Sequence, residues 1–90
     1  MTRNKITEQV LAIFADQFEI INPELDDDLR DVHEFDSIDA IELLREIELM
    51  LASELTQAEK KQAMEIRTIN QIVDYVEALA ATRADAAGIK

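Results

Sequence analysis

Cysteine is absent from this 90-residue chain. That excludes disulfides and thiolate metal sites, and any thiol chemistry has to arrive on a cofactor. Tryptophan is also missing, and three phenylalanines and one tyrosine supply all the aromatic surface. No apolar run approaches the ~20 residues that a membrane span needs, and no signal-peptide pattern opens the chain, so a cytoplasmic protein is the default expectation. Bases are scarce: 9 Lys and Arg face 20 Asp and Glu, for a formal charge of −11. Carboxylates repel a phosphate backbone, which excludes nucleic acid as a partner and favours basic protein surfaces. Ninety residues make one domain that buries roughly 60–68% of its unfolded surface, with no room for an enzyme cleft between lobes.

What is present is helical periodicity. Asn4 can cap a helix over about residues 4–18, in which Ile6, Val10, Ile13, Phe14 and Phe18 form a core stripe widened by Leu11 and Ala15. Asn22-Pro23 ends that unit, because proline biases its predecessor away from the α region. A connection of about fourteen residues follows, long for a compact domain. Its apolar anchors Leu25, Leu29, Val32 and Phe35 are spaced at three or four, so a short helical turn fits within it. The aspartates Asp26, Asp27, Asp28 and Asp31 invite a calcium reading. An EF-hand loop starting at Asp26 needs glycine sixth and glutamate twelfth, where Asp31 and Ser37 stand, so that reading fails.

The stretch Asp36-Ser37-Ile38-Asp39 opens a second helix expected to run to about Leu51. Asp36 suits the N-cap and Asp39 the N3 position. Ser37 then stands at the first helical position near the surface, beside unpaired N–H groups, where a phosphate ester is well placed. It has no activating base, so it reads as an attachment point and not a nucleophile. Ile41, Leu44, Ile47 and Leu51 form the expected core stripe, with Ile38, Leu43 and Met50 off it and partly exposed. Residues 24–48 hold eleven carboxylates against two bases, Arg30 and Arg45, so most of the net charge surrounds the serine. Thr56-Gln57-Ala58-Glu59 and Thr68-Ile69-Asn70-Gln71 are capping boxes. They mark a short helix near 57–65, docked by Ala63, Met64 and Ile66, and a last one near 69–82 with Ile69, Ile72, Val73, Val76 and Leu79 inside. Residues 1–82 are the expected domain, and 83–90, holding the only glycine, read as a frayed tail.

This succession of long helix, long loop, Asp-Ser-aliphatic-Asp helix, short helix and final helix resembles an acyl carrier protein over roughly residues 5–80. Residues Asp36 to Leu44 look like the family's Asp-Ser-Leu-Asp segment and its acidic recognition helix. Ile72-Val73-Asp74-Tyr75-Val76 is similar to its last-helix signature. The resemblance implies an all-α four-helix bundle with three longer helices and one short one. It implies 4′-phosphopantetheine on Ser37, attached by a separate phosphopantetheinyl transferase, with an acyl group held as a thioester on the arm. The chain would catalyse nothing itself. It would act as a monomer that presents cargo to enzymes of fatty-acid, lipid or polyketide-type synthesis with basic docking surfaces. Asp36, Ile38, Asp39, Ile41, Glu42 and Glu48 would meet those partners. The stripes of the last three helices would also line an acyl cavity, with Tyr75 and Met64 as candidate lining residues.

The sequence also departs from that family. His33-Glu34-Phe35 replaces the usual Leu-Gly-Ala before Asp-Ser, which removes a turn glycine and sets a bulky Phe35 beside the arm. Arg45-Glu46 stands where small or apolar residues are usual. These differences imply a specialised carrier whose partner has an acidic residue or open space facing Arg45. His33, the only histidine, reads as a solvated loop residue, with a pH-sensitive phosphate contact as the sharper alternative. A Ser37–His33 hydrolase lacks any oxyanion-hole pattern. The rival from another class is an unmodified acidic helical adaptor that binds basic proteins.

Overall fold

The computed structural model describes residues 2–88, and every described element is helical. α1 spans Arg3–Phe18 and is capped two residues earlier than expected, because the Thr2 hydroxyl, not Asn4, accepts the Lys5 N–H at 3.2 Å. Ile6, Val10 and Phe14 are buried along one row of the helix. Within the long connection lies α2, Leu29–His33, capped by the Asp28 carboxylate on the N–H groups of Arg30 and Asp31. A five-residue helix has one narrow inward face. Leu29 and Phe35 are therefore buried, while Val32 is 57% exposed and Leu25 also lies at the surface, against the expectation that all four anchor the loop.

α3 spans Ser37–Leu51 and buries Ala40, Leu43, Leu44 and Ile47. This corrects the expected stripe. Leu43 is 4% exposed and Ile41 55% exposed. At about 100° per residue, positions 40, 43, 44 and 47 share one face once Ala40, Leu44 and Ile47 turn inward. Ile41 then rotates out to join Ile38, Arg45 and Leu49. α4, Gln57–Ala63, is shorter than expected. Ala63 is buried and Ile66 partly buried, but Met64 lies at the surface and does little to dock it. α5, Ile69–Gly88, buries all five expected core residues and continues past the expected end near 82. The rest of the tail expectation, at 89–90, lies outside the described residues.

α1 packs most heavily on α5, while α3 touches both α1 and α4, so three long helices and one short one close around a single core. The connection carrying α2 is fastened to the α4–α5 corner. The Leu29 N–H donates to Arg67 O at 2.7 Å, and Asn70 N–H to Leu25 O at 3.0 Å. Arg30 also donates to Met64 O at 2.8 Å. Among the described residues no helix is long and apolar enough to cross a membrane.

Three helices stop on left-handed residues that are not glycine: Glu19 (φ 58°), Glu34 (φ 55°) and Ala52 (φ 52°). Glu34 is the residue at the glycine position of the motif discussed above. The turn keeps its left-handed geometry at a steric cost, with the Phe35 N–H closing it onto Leu29 O at 3.0 Å. Glu34→Gly removes a Cβ clash of roughly 1–2 kcal/mol and gives part of it back as unfolded-state entropy. The expected net gain is about 0.5–1 kcal/mol, read as a higher Tm in a thermal melt.

Candidate functional site

Ser37 sits at the corner where α2 ends and α3 begins, and its side chain is exposed. The corner is built by a reciprocal box. Asp39 N–H donates to Asp36 Oδ1 at 2.9 Å, and Asp36 N–H donates to Asp39 Oδ2 at 3.2 Å. Both carboxylates are thus committed to backbone, and neither bond uses the Ser37 hydroxyl. The N–H groups of Ser37 and Ile38 belong to the first turn and have no intrahelical acceptor. Two carboxylates already occupy the positive end of the helix, so this corner is a poor trap for free phosphate. It suits a phosphodiester held covalently, reachable by an enzyme and stabilised by the remaining first-turn N–H groups.

The corner is fixed from below by Phe35. Far from flanking the arm, as the motif departure suggested, Phe35 is 6% exposed and packed in the core. Its ring stacks on Phe14 at 5.3 Å and meets Phe18 edge-on at 5.3 Å. All three phenylalanines of the chain form this cluster. His33, at the end of α2, is half-buried with Nε2 3.3 Å from Asp27 Oδ2. Its ring faces the acidic loop through that contact. Among the described residues no three metal-ligating side chains converge.

Of the residues expected to meet partners, Asp36, Ile38, Ile41, Glu42 and Arg45 are exposed on or beside the outer face of α3, and Asp39 is half-exposed. Glu48 has another task. Its Oε2 accepts the Leu55 N–H at 2.9 Å and so ties α3 to the segment that leads into α4. Sequence reasoning missed this, since a spacing of seven residues across a turn has no local signature.

It also missed what holds α4. Arg83, from α5, donates to both Glu59 carboxylate oxygens, to Ser53 Oγ at 2.8 Å and to Glu54 O at 2.9 Å. Tyr75 donates its hydroxyl to Glu59 O at 2.6 Å. The hydrogen bond from Arg83, with the Thr56 N–H second, holds the Glu59 carboxyl below its ordinary range. Burial pushes the Tyr75 hydroxyl up to about 12, reinforced by the Glu59 charge. Because the folded state depresses the Glu59 pKa, its contribution is present above the unfolded carboxylate pKa of about 4.3 and is lost as pH falls through the lower folded value. Glu59→Gln is therefore expected to melt below the wild type at pH 7, with the gap closing under pH 4 in parallel thermal scans.

The space enclosed by Phe35, Ala40, Leu43, Leu44, Ile47 and Tyr75 is only about 10 Å³, at the lower edge of the roughly 10–15 Å³ that one water needs and far too small for an acyl chain. Tyr75 does line the interior, as expected. Met64 does not: it borders an outer groove of about 220 Å³ with Ile41, Leu44, Arg45, Glu48 and Lys60.

The family model described as phosphopantetheine attachment site matches residues 8–76. Searches of curated proteins and of solved structures returned no match. The matched span runs from within α1 to within α5 and includes the Ser37 corner.

Proposed function

The chain belongs to the phosphopantetheine attachment-site family, whose members carry that group covalently, and from this premise we propose that Ser37 is the residue esterified. The single observation that supports the assignment is the exposed hydroxyl at the first position of α3, framed by a capping box that leaves it unengaged. The other serine, Ser53, has its hydroxyl held by Arg83 and Glu54 O. In the transfer, Ser37 Oγ bonds to the phosphorus of the pantetheine arm of coenzyme A, the adenosine bisphosphate half leaves, and the hydroxyl proton passes to the transferase. The arm supplies the thiol that the chain lacks and holds an acyl group as a thioester.

The carrier works by tethering, which raises the effective concentration of cargo at each partner. Asp36, Ile38, Asp39, Ile41, Glu42 and Arg45 form the contact surface for the transferase and for acyl-transferring or synthase enzymes with basic faces. Exposed Ile38 and Ile41 give that surface its apolar centre, and the carboxylates give it steering. Glu48 contributes only the oxygen that Leu55 leaves free. Fatty-acid, lipid or polyketide-type synthesis in the cytoplasm is the setting this fits. Incubation with coenzyme A, magnesium and a broad-specificity transferase tests the proposal. A mass gain of one phosphopantetheine unit, mapped by peptide fragmentation to Ser37, is the expected result. An unmodified chain after that incubation points instead to an adaptor.

A further inference from the structure

We propose that the cargo of this carrier rides outside the bundle, in the groove between α3 and α4, and ends in a carboxylate that Arg45 and Lys60 recognise. The inference rests on the carrier reading above and adds to it the chemical class of the cargo.

The interior is filled: Phe35 and Tyr75 leave about 10 Å³ there. Opening it means moving α4, which is fastened along its length. Arg83 and the Tyr75 hydroxyl hold Glu59, and Arg30 holds Met64 O just past the last turn. Several hydrogen bonds would break together before a chain could enter.

The outer groove needs no such movement. It offers about 220 Å³, and Ile41, Leu44 and Met64 supply an apolar lining. Ile41 stands one turn along α3 from Ser37. Arg45 stands eight residues along, about 12 Å down the axis, so the groove runs away from the attachment corner in the direction a tethered chain can follow.

Its charge is the second observation. The region from 24 to 48 is strongly acidic, yet two cations, Arg45 from α3 and Lys60 from α4, meet at this groove. Neither is in an ion pair among the described residues, which is equally true of Arg30 and Lys61, but Arg45 and Lys60 are the two that line one groove together. The one carboxylate in the lining, Glu48, has one oxygen turned to the Leu55 N–H, so two cations face a single negative charge there and the lining is net positive. An apolar floor with a net positive rim matches an acyl chain with an anionic far end. A cationic aminoacyl end would be repelled.

The test loads the full chain, with magnesium and a broad-specificity phosphopantetheinyl transferase, from two six-carbon thioesters of coenzyme A, hexanoyl and adipoyl, which differ only in the terminal carboxylate. NMR then follows the side-chain nitrogens of Arg45 and Lys60, the methyl groups of Ile41, Met64 and Ile47, and the Tyr75 ring. The adipoyl form is expected to shift Arg45, Lys60 and Met64, and Arg45→Gln with Lys60→Gln to cut the docked population about threefold, in line with exposed charge pairs. Both loaded forms should leave Ile47 and Tyr75 signals in place. Movement of Ile47 and Tyr75 in the hexanoyl form would place the chain inside and overturn the proposal. So would an adipoyl form whose Arg45 and Lys60 signals match those of the unloaded arm. A chain that gains either acyl-pantetheine mass yet gives one of those results overturns only the cargo assignment. A chain that gains neither overturns the carrier reading and this inference with it.

Discussion

Ser37→Ala is expected to abolish the phosphopantetheine mass gain completely while leaving the helical circular dichroism and the melting temperature close to wild type. The hydroxyl is the acceptor of the transferred group, so no residual path exists through this position. The fold should not notice, because the side chain is exposed and makes neither bond of the capping box. Alanine is a good helix former, and surface changes of this kind usually stay within about 0.5 kcal/mol. Two controls separate loss of chemistry from loss of shape. Thr56→Ala leaves the Ser37 corner intact but removes the cap on Glu59 N–H, held at 3.1 Å, for a cost of about 1 kcal/mol, and should still be loaded below its melting point. Ser53→Ala should be loaded fully, since that hydroxyl is already bound by Arg83. Loading of Ser37→Ala to the wild-type level would mean that another residue is the acceptor.

Much of this corner was legible in the sequence because its causes are local. Asp36 and Asp39 are three residues apart, as a capping box requires, and the box is present in both directions. The same holds for Thr56 with Glu59 and for Thr68 with Gln71. The rotation of α3 was harder to read. Aliphatic residues occupy positions 38, 41, 43, 44, 47, 49 and 51, so periodicity alone left two faces available. Which one turned inward was decided by α1 and α4, which pack on it. The clamp on α4 was invisible for a related reason: Arg83 and Glu59 lie twenty-four residues apart on different helices. Glu34 is instructive in another way. The missing glycine was visible, but only the backbone shows that the left-handed turn is retained without it.

Phe35→Ala carries the largest expected loss of stability and tests where that side chain belongs. Were Phe35 beside the arm in solvent, truncation would change loading and leave stability nearly untouched. In the structure the ring lies between Phe14 and Phe18, each centroid 5.3 Å away, with almost no exposure. Removing it leaves a cavity under the first turn of α3 and breaks two of the three contacts in the cluster. Phenylalanine-to-alanine changes in such surroundings cost about 3–5 kcal/mol, a large share of the 5–15 kcal/mol that holds a domain together. At about 4–8 °C per kcal/mol for a domain of this size, the melting temperature should fall by roughly 15 °C or more. A urea titration should show a lower midpoint with little change in slope. Phe35→Leu, which refills most of the volume, should lose only about 1 kcal/mol. Below its melting point the alanine variant should still accept the arm, because the serine is displayed at the surface while the ring acts beneath it. A variant with wild-type stability and impaired loading would return Phe35 to the outside of the molecule.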